Sequence, residues 1–262
     1  MDAFGFLELV YHTIVREVRM ESGNAVLGLF GAIARILALV AMFYILFEFM
    51  GVRSAIIRGD VVLFLVGGVL LFFMHNAAVR KVIKAGSFAS QLMLHAPMTP
   101  TLAIFAAALS TLYLHILALL VIFTFIILMR DGLDIYNPAG VFLPFFLAWA
   151  SGVVIGLGML VLKPFAPRLM EIVSLLYTRA NLVTSGKFFV ANLLPAAVLP
   201  YFAWNPLFHC VDQIRGAMFV NYFPRVTSIT YPLWFVFVGL ILGLMVEFWL
   251  RKTVSQSTSK RR

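Results

Sequence analysis

Long apolar stretches alternate with short polar ones along most of the chain, and their lengths predict membrane spans. An α-helix needs about 20 residues to cross a hydrocarbon layer of about 30 Å. Six stretches reach this length, at about 25–49, 61–79, 101–129, 141–162, 170–194 and 229–250. His75 and Asn76 interrupt the second stretch, and the fifth contains Glu171, Arg179 and Lys187. The pattern predicts an all-α integral membrane protein with six transmembrane helices.

Two segments outside these stretches have patterns of their own. Apolar and polar positions between residues 4 and 19 separate onto two faces at helical spacing, which predicts an N-terminal amphipathic helix at the membrane interface. Residues 195–228 are aromatic and apolar, whereas a solvated loop is normally polar. We therefore expect a re-entrant external segment before the last span. Residues 1–252 then form a single polytopic transmembrane domain, followed by a basic cytoplasmic tail over 253–262.

Composition excludes several classes of protein. The chain is 63% hydrophobic and only 12% charged, whereas soluble domains are roughly 45–50% apolar and about 25% charged. A soluble enzyme, a disordered protein and a fibrous repeat are therefore excluded. The net charge of +9 would suggest a nucleic-acid partner in a soluble protein. Here the basic residues concentrate in loops that share one side of the membrane, which predicts two cytoplasmic termini and no nucleic-acid partner.

Motifs of catalysis and cofactor binding are absent from the sequence. Ser185-Gly186-Lys187 is only a fragment of a P-loop, since Asn181 stands where the first glycine belongs. The sequence contains no H-E-x-x-H, C-x-x-C or G-x-S-x-G motif, and Cys210 is its single cysteine. We therefore expect no catalytic residue, no metal site and no cofactor in this chain. An intramembrane lipid-modifying enzyme that pairs His75 or His209 with a nearby acid stays open as an alternative.

Cations within the spans, and aromatic residues in the spans and in the external segment, are candidates for a substrate path. Charged groups in lipid are costly and often functional, so Arg35, Arg179 and Lys187 could line such a path. They could equally extend to lipid headgroups or pair with acids such as Glu171. Most aromatic side chains are expected to pack or face lipid, but some could stack on sugar rings. The aromatic candidates are Phe43, Tyr44, Phe47, Tyr177, Phe188, Phe189, Tyr201, Phe202 and Trp204.

Three segments in a fixed order carry a resemblance to a known family. Val15-Arg16-Glu17-Val18-Arg19 is followed by Leu27-Gly28, and the stretch 90–100 ends in a Pro-x-x-Pro-like pattern. The most specific segment is Asn205-Pro206-Leu207-Phe208-His209 with Asp212 and Arg215, which follows Thr184-Ser185-Gly186-Lys187-Phe188-Phe189. With these segments the chain resembles the membrane-spanning permease of the type-two ABC exporters. Among them it is most similar to the capsular polysaccharide and O-antigen export branch.

The resemblance implies a permease that forms a homodimer and works with a separate ABC ATPase subunit, which would bind ATP and Mg. Residues that would contact the ATPase are Arg16, Glu17, Arg19, Ser90, Leu92, His95 and Pro97. An external gate motif would comprise Asn205, Pro206, His209, Asp212 and Arg215. These positions predict coupling of ATP hydrolysis on one side of the membrane to gate movement on the other.

The resemblance also implies a cargo and a location. The cargo would be a polysaccharide, capsular or lipid-linked, moved across the bacterial inner membrane, and the three cations in the spans favour an acidic glycan. Periplasmic and outer-membrane export proteins are further expected partners. An exporter of the same architecture that carries a drug, a lipid or another small hydrophobic compound is the main alternative.

Overall fold

The computed structural model describes residues 25–49, 51, 60–92, 100–129 and 134–259. Within these helices the side chains of residues 25–29, 32, 35, 86–92, 100, 129 and 250–259 are not among those described. The predicted interface helix over 4–19 lies outside the described residues. The same holds for Arg16, Glu17, Arg19, His95 and Pro97, and for the side chains of Arg35, Ser90 and Leu92.

Every regular element in the described ranges is helical. The α-helices are α1 Ala25–Phe49, α2 Val61–Leu65, α3 Leu71–Leu92, α4 Pro100–Met129, α5 Pro138–Leu162, α6 Pro167–Thr184, α7 Pro200–Ala203, α8 Pro206–Met218 and α9 Thr230–Ser259. A π-helical turn, Val66–Leu70, joins α2 to α3, and a short 3₁₀ turn covers Ala191–Leu193. The helical architecture predicted from the apolar stretches is confirmed.

Four segments in the described ranges are long and apolar enough to cross a membrane. They are Val61–Ala85, Thr101–Leu128, Pro138–Leu162 and Thr230–Trp249. Helix α1 covers the first predicted span, and its described apolar part, Ile36–Phe49, is shorter. The chain is therefore a multi-pass α-helical membrane protein, and the number of six spans stays a prediction.

The helix ends in the structure differ from several predicted span ends, while the span bounds within the membrane stay predictions. Helix α3 continues to Leu92, beyond the predicted end of the second span at 79. Helix α6 ends at Thr184 instead of continuing to 194. Gly186 follows with a φ of 70°, a left-handed conformation that glycine adopts without steric cost and that ends the helix. The predicted tail also begins as helix, because α9 continues through Ser259.

Glycines allow α5 to approach α3 closely at the centre of the fold. Gly152 and Gly156 are one helical turn apart, and a Cβ at Gly152 would lie 2.5 Å from the carbonyl oxygen of His75. A Cβ at Gly156 would lie 2.9 Å from the carbonyl oxygen of Val79. Small residues at this spacing let transmembrane helices pack backbone to backbone. The close contact between α3 and α5 therefore requires glycine at positions 152 and 156.

A second glycine pair brings α9 against the other side of α5. A Cβ at Gly239 would lie 2.3 Å from Val154 Cγ1, and one at Gly243 would lie 2.5 Å from Leu157 Cδ2. Most of the other side chains in the described part of α9 are apolar and exposed. This distribution suits a helix that packs through one narrow face and meets lipid with the rest.

Helix α8 is the most deeply buried of the shorter helices. Eleven of its residues are buried, including Asp212 and Arg215. Asn205 caps its N-terminus by accepting a hydrogen bond of 3.0 Å from the backbone N–H of Leu207, and Pro206 occupies the first helical position. A short, mostly apolar helix thus buries a histidine, an aspartate and an arginine, and these three side chains need polar partners inside the protein.

Candidate functional site

Arg215 of α8 holds the turn Gly186–Phe189 through three backbone carbonyls. Its Nη1 donates to the carbonyl oxygens of Gly186 at 2.8 Å and Phe189 at 2.6 Å, and its Nη2 donates to that of Lys187 at 2.7 Å. The side chain is only 1% exposed. Burial lowers the pKa of the guanidinium to about 10, against the opposing effects of Asp212 and Tyr222, so the group stays cationic at neutral pH.

The same guanidinium stacks on an aromatic ring of the segment Val61–Ala85. Its central carbon lies 3.8 Å from the centre of the Phe64 ring of α2, a geometry that favours a cation over an aromatic face. Gly68 of the π-helical turn makes room for the assembly, since a Cβ there would lie 2.7 Å from the Lys187 carbonyl oxygen and 2.8 Å from Arg215 Nη2. Helix α8, the turn and the first part of this segment therefore meet at one guanidinium.

Lys187 is enclosed within the protein rather than presented to a path. Its Nζ donates to the carbonyl oxygen of Leu182 at 2.5 Å. It also lies 3.8 Å from the centre of the Phe72 ring and 4.5 Å from that of Phe188. With one carbonyl and two aromatic faces the ammonium is well satisfied, and its side chain is 1% exposed. In this conformation Lys187 does not face an open path.

A ladder of asparagine side chains joins α3, α6 and α8. Asn181 Nδ2 donates to Asn76 Oδ1 at 3.3 Å, and Asn205 Nδ2 donates to Asn181 Oδ1 at 2.7 Å. Asn205 Nδ2 also donates to Thr184 Oγ1 at 2.9 Å. The three asparagines are at most 1% exposed. Buried amides that satisfy one another fix the relative positions of the helices that carry them.

His75 connects α3 to α5 and forms a second connection between α3 and α6. Its Nδ1 lies 2.9 Å from the carbonyl oxygen of Ala148 and 3.1 Å from Ser151 Oγ, both on α5. Its Nε2 lies 2.7 Å from the Tyr177 hydroxyl of α6. Because a carbonyl only accepts, Nδ1 carries the proton and Nε2 accepts from Tyr177. Both ring nitrogens of His75 are thus occupied by structural contacts.

His209 and Asp212 attach α8 to the segments that precede and follow it. His209 Nε2 donates to the carbonyl oxygen of Ala203 at 2.8 Å, and Nδ1 accepts from the backbone N–H of Ser228 at 3.1 Å. Burial lowers the pKa of His209, which favours this neutral form. Asp212 accepts from the Tyr222 hydroxyl and, at 2.7 Å, from Thr227 Oγ1. Four of the five predicted gate residues (Asn205, His209, Asp212 and Arg215) therefore anchor α8 through side-chain hydrogen bonds, while Pro206 begins the helix.

Several predicted path aromatics form one cluster around the turn. The Phe188 ring centre lies 4.9 Å from that of Phe43 and 6.1 Å from that of Phe47, both on α1. On the other side, the Phe189 ring lies 5.4 Å from that of Phe202. Phe47 is buried and Tyr44 is half-buried in the same core. These rings pack against one another, so in this structure they are mainly part of the hydrophobic core.

Other predicted path residues lie at the surface. Tyr201 is 72% exposed and Trp204 is 47% exposed. Arg179 is exposed on α6, whose outward side chains include Ile172, Leu176 and Val183. No described residue forms a hydrogen bond or ion pair with the Arg179 side chain. Arg179 is therefore an exposed cation without a side-chain partner in the described part of the chain.

The comparisons with known proteins agree with this architecture. The chain is 26% identical over 237 residues to the polysialic acid transport protein KpsM of Escherichia coli, and the match covers 88% of each protein. No family model matches the chain. The resemblance to the KpsM-type ABC permeases is confirmed.

Sequence reasoning missed the asparagine ladder and the glycine contacts. His75 and Asn76 were treated as interruptions of an apolar stretch, although they are the residues that hold α6 through Tyr177 and Asn181. The pairs Gly152–Gly156 and Gly239–Gly243 have the small-x-x-x-small spacing that indicates close helix packing. That signal was available in the sequence. The asparagine ladder could not be read from the sequence, because its bonded members are separated by 105 and 24 positions.

Proposed function

We propose that the chain is the membrane-spanning subunit of an ABC exporter that moves a polysaccharide across the bacterial inner membrane. The observation that carries the proposal is the similarity to the polysialic acid transport protein over 88% of both chains. The multi-pass helical fold is compatible with it. Because the sequence contains no Walker A motif, ATP and Mg would be bound by a separate ATPase subunit.

The assembly that we propose contains two copies of this chain and two ATPase subunits. Helix α6 turns Ile172, Leu176 and Val183 outward, so a second copy could cover an apolar face that this chain leaves open. Both termini would lie in the cytoplasm, where the segment 4–19 and the stretch 85–98 would meet the ATPase. Periplasmic and outer-membrane export proteins would receive the polymer on the other side.

An acidic glycan is the cargo that we propose. Its support is Arg179, an exposed cation without a described partner on an otherwise apolar helix face, together with the name of the relative. Lys187 would contribute only after a rearrangement, since it is enclosed by Phe72 and Phe188 in this structure. Helix α8 and the external segment around it would form the gate.

The described geometry gives the lipid-modifying alternative little support. A catalytic histidine needs a ring nitrogen that can exchange a proton with a substrate. In both His75 and His209 the two ring nitrogens are engaged by protein groups. No specific observation favours a drug or a lipid as cargo over a polysaccharide.

The ATPase contact can be tested by co-purification from membranes of the bacterium that produces the chain. We expect the tagged chain to bring down a protein with a Walker A motif. A Leu92→Glu variant should lose most of this partner, because a buried carboxylate in a protein contact is unpaired and costly. Mass spectrometry of the eluate measures the ratio of the two proteins.

Val220→Glu is the control, since it adds the same charge at a residue that is 68% exposed beyond the end of α8. It should retain the partner. If the chain brings down no ATPase, the proposed exporter is refuted. If Leu92→Glu retains the partner as well as Val220→Glu does, position 92 is not part of the contact.

A further inference from the structure

The turn Gly186–Phe189 is a junction of five helical elements. Phe188 contacts the α1 ring of Phe43, and the Lys187 ammonium lies over Phe72 of α3. The carbonyl groups of the turn face Arg215 of α8, whose guanidinium also covers Phe64 of α2. The turn continues directly from α6. A shift of this turn would therefore change its contacts with every one of these elements.

The shape of the turn depends on two glycines. Gly186 has a φ of 70°, and a Cβ there would lie 2.9 Å from the Phe208 ring of α8. On the opposite side, Gly68 allows the Lys187 backbone to approach the π-helical turn. A π-helical turn within an α-helix is rare and frequently occurs at functional sites. The turn is thus confined between α8 and the π-helical turn with no room for a side chain on either side.

The bonds that hold the turn are of a kind that can be released. Arg215 holds the turn through three hydrogen bonds to neutral carbonyl oxygens, and none of the three is an ion pair. Its Nε has no hydrogen-bond partner among the described residues, and the same is true of the buried Ser185 hydroxyl beside the turn. Buried polar groups without a partner are rare in native proteins and call for an explanation, and both of these lie at the same turn.

We propose that Arg215 is a latch that holds the turn Gly186–Phe189 against the π-helical turn and keeps Lys187 enclosed. When the latch opens, the turn separates from α8 and Lys187 becomes available to a cargo. Arg215 is therefore a positioning residue, acting on the cargo through the turn rather than by touching it. The meaning of this movement for export rests on the proposed function, whereas the existence of the latch does not.

Cysteine labelling tests the latch in membranes that contain the full chain. A Ser185→Cys substitution introduces a thiol at a fully buried position whose hydroxyl makes no described hydrogen bond. The natural Cys210, also fully buried on α8, serves as an internal reference in the same molecule. Labelling by a maleimide at each site is measured by mass spectrometry of the digested protein.

Two substitutions open the latch by different routes. Arg215→Lys keeps the charge but cannot donate to three carbonyls from one planar group. Gly68→Ala places a Cβ 2.7 Å from the Lys187 carbonyl oxygen and pushes the turn away. In both proteins we expect labelling at position 185 to rise about tenfold or more, with Cys210 still protected. Arg225→Lys, at an exposed arginine, and Gly158→Ala, where a Cβ meets nothing within 4 Å, are the matched controls and should leave the rate unchanged.

Two results would overturn the proposal. One is a labelling rate at position 185 that stays at the level of the parent protein in either latch variant. The other is a rise at position 185 that occurs only together with Cys210, because this would mean general loosening of the fold rather than release of one turn. Neither result depends on what the protein transports. The latch can therefore be refuted without refuting the proposed function, and the proposed function without refuting the latch.

Discussion

A Gly152→Leu substitution is expected to remove nearly all folded protein from the membrane. The new Cβ would lie 2.5 Å from the carbonyl oxygen of His75, and this obstacle is backbone rather than a flexible side chain. Helices α3 and α5 would have to separate, which would also break the contacts of His75 with Ala148 and Ser151. Overpacking alone lowers the free energy of unfolding by about 1–3 kcal/mol, occasionally more. The loss of these hydrogen bonds lowers the stability further.

Gly158→Leu is the matched control on the same helix. A Cβ at Gly158 meets nothing within 4 Å, and this position is exposed. We therefore expect wild-type amounts of folded protein, measured by size-exclusion chromatography of the detergent-extracted chain with a fluorescent tag. Equal profiles for the two leucine variants would show that the close α3–α5 approach does not exist.

An Asn181→Leu substitution is expected to give the second large effect. It removes the donor to Asn76 Oδ1 and the acceptor for Asn205 Nδ2, while Thr184 continues to serve Asn205. An unsatisfied buried polar group costs about 1–3 kcal/mol. We expect the free energy of unfolding to fall by about that amount, and the thermal midpoint of the purified protein to drop accordingly.

Thr178→Val is the control for this substitution, because among the described residues the Thr178 hydroxyl bonds only to the Ser174 carbonyl of its own helix. Its midpoint should stay close to that of the parent protein. A double Asn76→Leu and Asn181→Leu variant should regain part of the loss, since it removes both partners of one bond. If Asn181→Leu unfolds at the same temperature as Thr178→Val, the asparagine ladder does not hold α6 in place.

Apolar stretches of sufficient length predicted the helical membrane architecture because lipid imposes it. A backbone in hydrocarbon must satisfy its own hydrogen bonds, so a long apolar stretch such as 101–129 can hardly be anything but a helix. The end of α6 was harder to predict. Val183 is followed by polar residues, but the apolar residues after Phe188 made the stretch look continuous to 194. Only the left-handed Gly186 and the Arg215 contacts reveal why the helix stops.

The roles within the candidate site were only partly predictable. The family resemblance pointed to Asn205, Asp212 and Arg215, and the structure places all three on or at the start of one buried helix. Lys187 was predicted to line a path, yet it lies enclosed between two rings and a carbonyl. Spacing along a helix shows which residues share a face, but the tertiary partner of that face is set by contacts distant in sequence.

Surface polysaccharide in a deletion strain tests the central proposal most directly. The gene for this chain is deleted in its own bacterium, and polymer is quantified separately on the cell surface and inside the cell. We expect polymer to accumulate inside and to disappear from the surface. The unchanged chain and its Gly158→Leu variant should restore export, whereas Gly152→Leu should not. A normal amount of surface polysaccharide in the deletion strain would contradict the proposed function.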